Sequence, residues 1–166
     1  MIRIQFFDTP DGVRRRMYEN LVPVGLPRPA ERTNQDLASN QLAQFFLRKF
    51  FQKHPELLPR TSSRSSAFLM DGKVGPQTLE GINRFQTFQH RGGVPLFLDQ
   101  RVSVPLGVNV PGTQKRYTIH LLNSVFFKLA GEDEFNNLAQ NQEIRNEAPE
   151  LAGELVRAEE DVSASA

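Results

Sequence analysis

The stretch from Leu37 to His54 carries the feature that most limits what this chain can fold into. Leu42, Phe45, Phe46 and Phe50 recur at spacings of three and four, and Leu47 and Phe51 widen the same face. That recurrence marks a helix with one side turned toward a core. A face this wide needs neighbours on several sides, so the helix is expected at the centre of the fold. Thr33-Asn34-Gln35-Asp36 fits a capping sequence at its start. His54-Pro55 closes it, because the residue before proline is pushed out of the α region. With 13 Phe, two Tyr and no Trp in the chain, phenylalanine must supply nearly all aromatic packing.

The 166 residues suffice for one domain of ordinary size with extensions, or for two very small ones. A 39% hydrophobic content can support a core, and 23% charged residues argue against wholesale disorder. Cysteine is absent, which removes disulfides, thiolate metal sites and a thiol nucleophile. His54, His90 and His120 are scattered, without the spacing of a helical zinc site. No metal and no cofactor is therefore expected. The opening MIRIQFFDTPDGVRRRM holds no apolar run of signal-peptide length, and no membrane span is visible. Synthesis in the cytoplasm without a Sec signal is the expectation, with no membrane partner.

A net charge of +1 conceals a strong asymmetry. Residues 132–161 hold ten acids against two arginines, and everything before them is strongly basic. The acidic stretch reads first as a solvated tail, and second as one that docks on a basic surface, its own or a partner's.

Three segments follow. Residues 1–33 read as an extended arm with a possible strand: Ile2 to Phe6 alternate apolar and polar, Thr9-Pro10-Asp11-Gly12 turns, and prolines 23, 27 and 29 keep the rest extended. Such a strand must pair with another strand or a partner chain, or pack on its own domain. Arg14, Arg15 and Arg16 are a weak signal for an anionic polymer. Residues 34–130 form the main domain, with helices expected over Leu37–His54, from Pro76 to about Gln89, and over Tyr117–Leu129. A Ser-rich loop occupies 61–66, and the proline-rich stretch 94–112 excludes regular helix. Residues 131–166 read as an acidic, partly helical tail, helical around Phe135–Ile144 and interrupted by Pro149 and Gly153.

Within the main domain, residues 70–86 read MDGKVGPQTLEGINRFQ. Asp71-Gly72 is turn chemistry, and Gly75-Pro76 starts a helix, since proline at the first helical position loses no needed N–H. Asp71-Gly72-x-Val74-Gly75-Pro76-x-Thr78, then Ile82 and Phe85-Gln86, resembles the signature of peptidoglycan-binding-like domains, small three-helix modules that anchor proteins to cell walls. A second, fainter echo runs from Asp99-Gln100-Arg101-Val102 to Thr118 and Asn123 and resembles the second turn and helix of longer family members. There Gln100 stands in place of the glycine and Ser103 in place of an aspartate, with an insertion over 108–116.

The resemblance implies a mainly α fold, a small three-helix peptidoglycan-binding-like domain flanked by the N-terminal arm and the acidic C-terminal tail. It also implies a shallow groove beside the first turn, where a helix N-terminus suits the carboxylates of wall peptides. Asp71, Lys73, Gln77 and Arg84 are the candidate contacts, each with a plain structural alternative as turn, cap or solvated face. No catalytic set is visible. Zinc-hydrolase spacing and serine-nucleophile motifs are missing, and Asp71 and Asp99 are explained by their turns. A non-enzyme is expected. Nucleic-acid recognition ranks low, because basic residues are dispersed and no recognition motif is present. Two functions remain open: non-catalytic binding of peptidoglycan within a phage tail, contractile injection machine or secretion-system cargo, as part of a virion or of a secreted or contractile particle, or a structural adaptor of such an assembly. In the second, residues 1–33 and the acidic tail would contact other subunits.

Overall fold

The computed structural model describes residues 1–9, 11–26, 36–59 and 68–165. Two strands, β1 (Ile2–Asp8) and β2 (Arg14–Asn20), form an antiparallel hairpin in which Ile2 faces Asn20 and Asp8 faces Arg14. Two-residue strands β3 (Val24–Gly25) and β4 (Arg101–Val102) pair antiparallel elsewhere. The helices are α1 (Leu37–Lys53), α2 (Pro76–Arg91), α3 (Thr118–Ala130), α4 (Glu132–Asn136), α5 (Gln142–Glu147) and α6 (Pro149–Ala164). Single 3₁₀ turns lie at Pro55–Leu57 and Leu138–Gln140. The fold is mainly α.

Helix α1 is central, as its wide apolar face requires. Leu42, Phe45, Phe46, Leu47, Phe50 and Phe51 are all buried, and α1 packs against α2, α3, α6 and β2. Phe50 meets Phe85 of α2 edge-on at 5.0 Å, and Phe45 meets Phe126 of α3 at 5.2 Å, the tilted geometries that aromatic quadrupoles favour. Asp36 itself is the N-cap, its carboxylate accepting from the Ser39 N–H at 3.0 Å. Thr33, the expected cap, lies outside the described residues, as does the Ser-rich loop 61–66.

The N-terminal segment differs from the extended arm expected over 1–33. Residues 2–20 fold back as a hairpin closed by Thr9 and Val13, whose backbones bond at 2.9 Å. The hairpin lays Ile2, Ile4 and Tyr18 into the same core as α1. Two strands with a shared apolar face pair locally, which answers the backbone demand that a lone strand leaves open. Arg14, Arg15 and Arg16 are absorbed here: Arg15 lies over the Phe127 ring at 4.5 Å, Arg14 over Phe6 at 5.1 Å, and Arg16 pairs with Glu159.

The stretch 131–166 is likewise not a solvated tail. Phe135, Leu138, Ile144, Leu151 and Leu155 are buried in the common core, and α6 packs on β1, α1 and α5. Pro149 begins α6 rather than interrupting a helix, and Gly153 sits inside it. The acids dock on basic residues of the body. Arg48 of α1 reaches Glu143 and Glu147 of α5, each at 2.8 Å, and Lys49 reaches Glu143 at 2.5 Å. No described helix is long and apolar enough to cross a membrane.

Candidate functional site

The stretch 71–78 forms a tight turn followed by a helix start, and one buried glutamine holds it together. The Asp71 carboxylate accepts from the Lys73 N–H at 3.0 Å, which closes the turn. Gln44, fully buried on α1, accepts from the Gly72 N–H at 2.8 Å. It donates to the Lys73 carbonyl at 2.9 Å and to the Thr78 hydroxyl at 3.0 Å. Asn40, one turn earlier on α1, donates to the Gly72 carbonyl at 2.9 Å. Gly72 has φ 77°, and a Cβ there would stand 2.0 Å from Leu37 Cδ1, so a side chain at this position is strained and requires Leu37 to move.

The second turn repeats this wiring. Gln86, fully buried on α2, accepts from the Asp99 N–H at 3.2 Å and the Gln100 N–H at 3.0 Å. It donates to the Asp99 carboxylate at 3.1 Å, the Arg101 carbonyl at 3.0 Å and the Thr118 hydroxyl at 3.0 Å. Asp99 closes its turn by accepting from the Arg101 N–H at 3.1 Å, as Asp71 does from Lys73. Each unit thus comprises a helix bearing an amide, an aspartate turn, and a threonine at the next helix start. Gln100, at φ 55°, occupies the left-handed position that Gly72 fills in the first unit.

The four candidate contacts have different fates. Asp71 belongs to the turn just described. Gln77 accepts from the Leu69 N–H at 3.0 Å. Arg84 donates to the carbonyls of Leu57 and Leu58 at 2.9 and 3.1 Å and pairs with Glu80 at 2.9 Å, tying α2 to the 3₁₀ turn. Lys73 is exposed, and its backbone rather than its ammonium serves the turn. Asp71 and Asp99 are held by different glutamines in separate turns. Among the described residues no group of three metal-ligating side chains is present.

A half-open groove of about 440 Å³ lies beside the second turn. Phe97, Leu106 and Tyr117 supply apolar walls, and Arg101, Arg116 and Asp99 supply charge. Arg101 is buried, donating to the Ser103 hydroxyl at 3.2 Å and the Leu26 carbonyl at 3.2 Å, whereas Arg116 is exposed. Its backbone is fixed by bridges to Leu96 and Asn109, which fold the inserted loop over the turn. The repeated aspartate-to-threonine order was the sequence signal for this place, but the cations follow from no local pattern.

A second cluster, built on the buried Glu19 and His120, had no sequence signal. His120 of α3 contacts the Glu19 carboxylate at 2.5 Å, and Arg3 donates twice to Glu19, at 3.0 and 2.7 Å. Arg3 also reaches the Pro105 carbonyl at 3.3 Å. The cluster joins the hairpin, α3 and the loop before α3, and a buried carboxylate flanked by two basic groups acts there as a cross-link.

No family model, no characterised protein and no solved structure matches the chain.

Proposed function

We propose that the chain is a non-catalytic peptidoglycan-binding component of a larger assembly, of the phage-tail, contractile-injection-machine or secretion-system-cargo type. One observation carries the reading: the two aspartate-turn units are wired alike, through Gln44 and through Gln86, in the order that the resemblance to peptidoglycan-binding-like domains implies.

The binding place favoured by the geometry is the groove at the second turn. Asp71, Gln77 and Arg84 already hold the fold, so the first turn serves as scaffold. The second groove combines an exposed Arg116, suited to a peptide carboxylate, with an exposed Phe97, suited to the apolar face of a sugar ring. Lys115 lies over Phe97 at 4.2 Å and adds positive potential at the rim.

The test is co-sedimentation with purified peptidoglycan sacculi at low and high salt, because a basic body adheres to anionic polymers nonspecifically and salt screens that contact. Salt-resistant pelleting, lost in an Arg116→Ala/Phe97→Ala variant that still folds, is the expected result. Absence of pelleting moves the reading to the structural adaptor. That alternative rests on the exposed Leu98, Leu106 and Val108 around the same loop, an apolar rim suited to a protein partner.

A further inference from the structure

We infer that Arg3 of the hairpin is a positioning residue for the groove at the second turn, holding one wall in place through the peptide group between Pro105 and Leu106. The inference rests on the binding role proposed for that groove, and it adds the N-terminal hairpin to the binding unit. Leu106 supplies an apolar wall and is 77% exposed, so its own side chain does not anchor the loop. The peptide group before it does. The Pro105 carbonyl accepts from Arg3 Nη2 at 3.3 Å, and the Leu106 N–H donates to the Tyr117 hydroxyl at 3.1 Å. One peptide group is thus gripped at both poles, from β1 and from the residue that starts α3.

Both grips return to the buried Glu19. Its Oε1 accepts from Nε and Nη2 of Arg3 at 3.0 and 2.7 Å, which leaves the second Nη2 hydrogen for the Pro105 carbonyl. Its Oε2 contacts His120 Nε2 at 2.5 Å, and the His120 ring meets the Tyr117 ring edge-on at 5.6 Å. Glu19, Arg3, the Pro105–Leu106 peptide group, Tyr117 and His120 therefore close a circuit of contacts. A planar guanidinium docked on a carboxylate that is itself 1% exposed has few orientations open to it, so its aim at Pro105 is fixed in advance.

The second turn takes further ties from the same N-terminal segment. Asn20 donates to the Val102 carbonyl at 3.1 Å, the Leu26 N–H donates to the Gln100 carbonyl at 3.1 Å, and Pro23 lines the groove. The first turn is bonded instead by Gln44 and Asn40 of α1. A change at Arg3 should accordingly act on a groove wall 102 residues along the chain while sparing the first turn.

Arg3→Lys isolates this role. The Arg3 side chain is 42% exposed, and lysine keeps a charge beside Glu19 but loses the planar fork that serves Glu19 and Pro105 together. Amide hydrogen exchange, followed by NMR on the full chain, should show the Leu106 amide exchanging about tenfold faster, with the Gly72 and Lys73 amides of the first turn unchanged. Arg3→Gln should give the same pattern, and near-UV dichroism checks that both variants fold. Salt-resistant pelleting with peptidoglycan sacculi should weaken by about threefold to tenfold in both. Equal acceleration at the two turns marks general destabilisation and overturns the proposal. An unchanged Leu106 amide, or a loosened loop with undiminished pelleting, overturns it as well. A wild-type chain that never pellets overturns the peptidoglycan reading instead, and the exchange pattern still decides for or against Arg3.

Discussion

At the residue scale, two buried amides explain why the turns hold their shape. Gln44 and Gln86 each satisfy donors and acceptors that a bent backbone would otherwise bury unpaired. Gln86→Ala should therefore cost about 3 kcal/mol, well above an ordinary surface change, because several partners lose their bonds together. A shift in urea midpoint checks it, with Gln44→Ala expected to behave alike. The opposite sign is expected at Gln100. This residue holds φ 55°, a conformation that costs a side-chain-bearing residue about 1–2 kcal/mol, and its N–H bond to Gln86 does not involve the side chain. Gln100→Gly should raise stability by about 1 kcal/mol, measured in the same denaturant series. Asp71, Gly72, Pro76 and Thr78 were legible in the sequence because turn and helix-start chemistry is local. Gln44 was not, since a glutamine that reaches across to a turn 28 residues away leaves no pattern in its own neighbourhood. Gln86 was visible only as half of a Phe-Gln pair, without its role.

At the element scale, α1, α2 and α3 were readable from apolar spacing and from Pro76, and the C-terminal helices were misread. The reason is physical. Ten acids in thirty residues dominate composition, while the buried Phe135, Leu138, Ile144, Leu151 and Leu155 are distributed over short elements whose breaks hide the period. Burial raises the Glu143 pKa, but the hydrogen bonds and charges of Lys49 and Arg48 outweigh it and hold the carboxyl below its ordinary value. A carboxylate depressed in the folded state contributes stability above its unfolded pKa and loses it as pH falls through the folded pKa. The melting temperature should thus decline on the acid side of the usual glutamate range. Glu143→Gln should flatten that decline while lowering stability at neutral pH, and melting curves at several pH values read both effects. Gly153 offers a complementary check within α6. It is exposed in mid-helix and an added Cβ meets nothing within 4 Å, so Gly153→Ala should add about 0.5–1 kcal/mol.

At the scale of the whole molecule, the question is whether residues 34–130 can stand alone, as a flanked three-helix domain would. The packing argues that they cannot. The Tyr18 hydroxyl donates to the Phe135 carbonyl at 2.6 Å, joining the hairpin directly to the C-terminal helices. Both ends also cover α1, through β2 on one side and α6 on another. Removing residues 1–33 and 131–166 deletes Ile2, Ile4, Tyr18, Phe135, Leu138, Ile144, Leu151 and Leu155 from the core. Burying each such side chain is worth about 2 kcal/mol. Their combined loss exceeds the roughly 5–15 kcal/mol by which a domain is stable at all. It also leaves the apolar face of α1 open to water. The fragment 34–130 should accordingly keep helical far-UV dichroism, lose its near-UV signal, bind a hydrophobic dye and melt without a cooperative transition. The full chain should melt in one transition, seen at the same temperature by near- and far-UV dichroism. A fragment that melts cooperatively with native near-UV dichroism would mean that the hairpin and the C-terminal helices are accessories on a self-sufficient domain. The core says otherwise, because α1 is wide enough to need both.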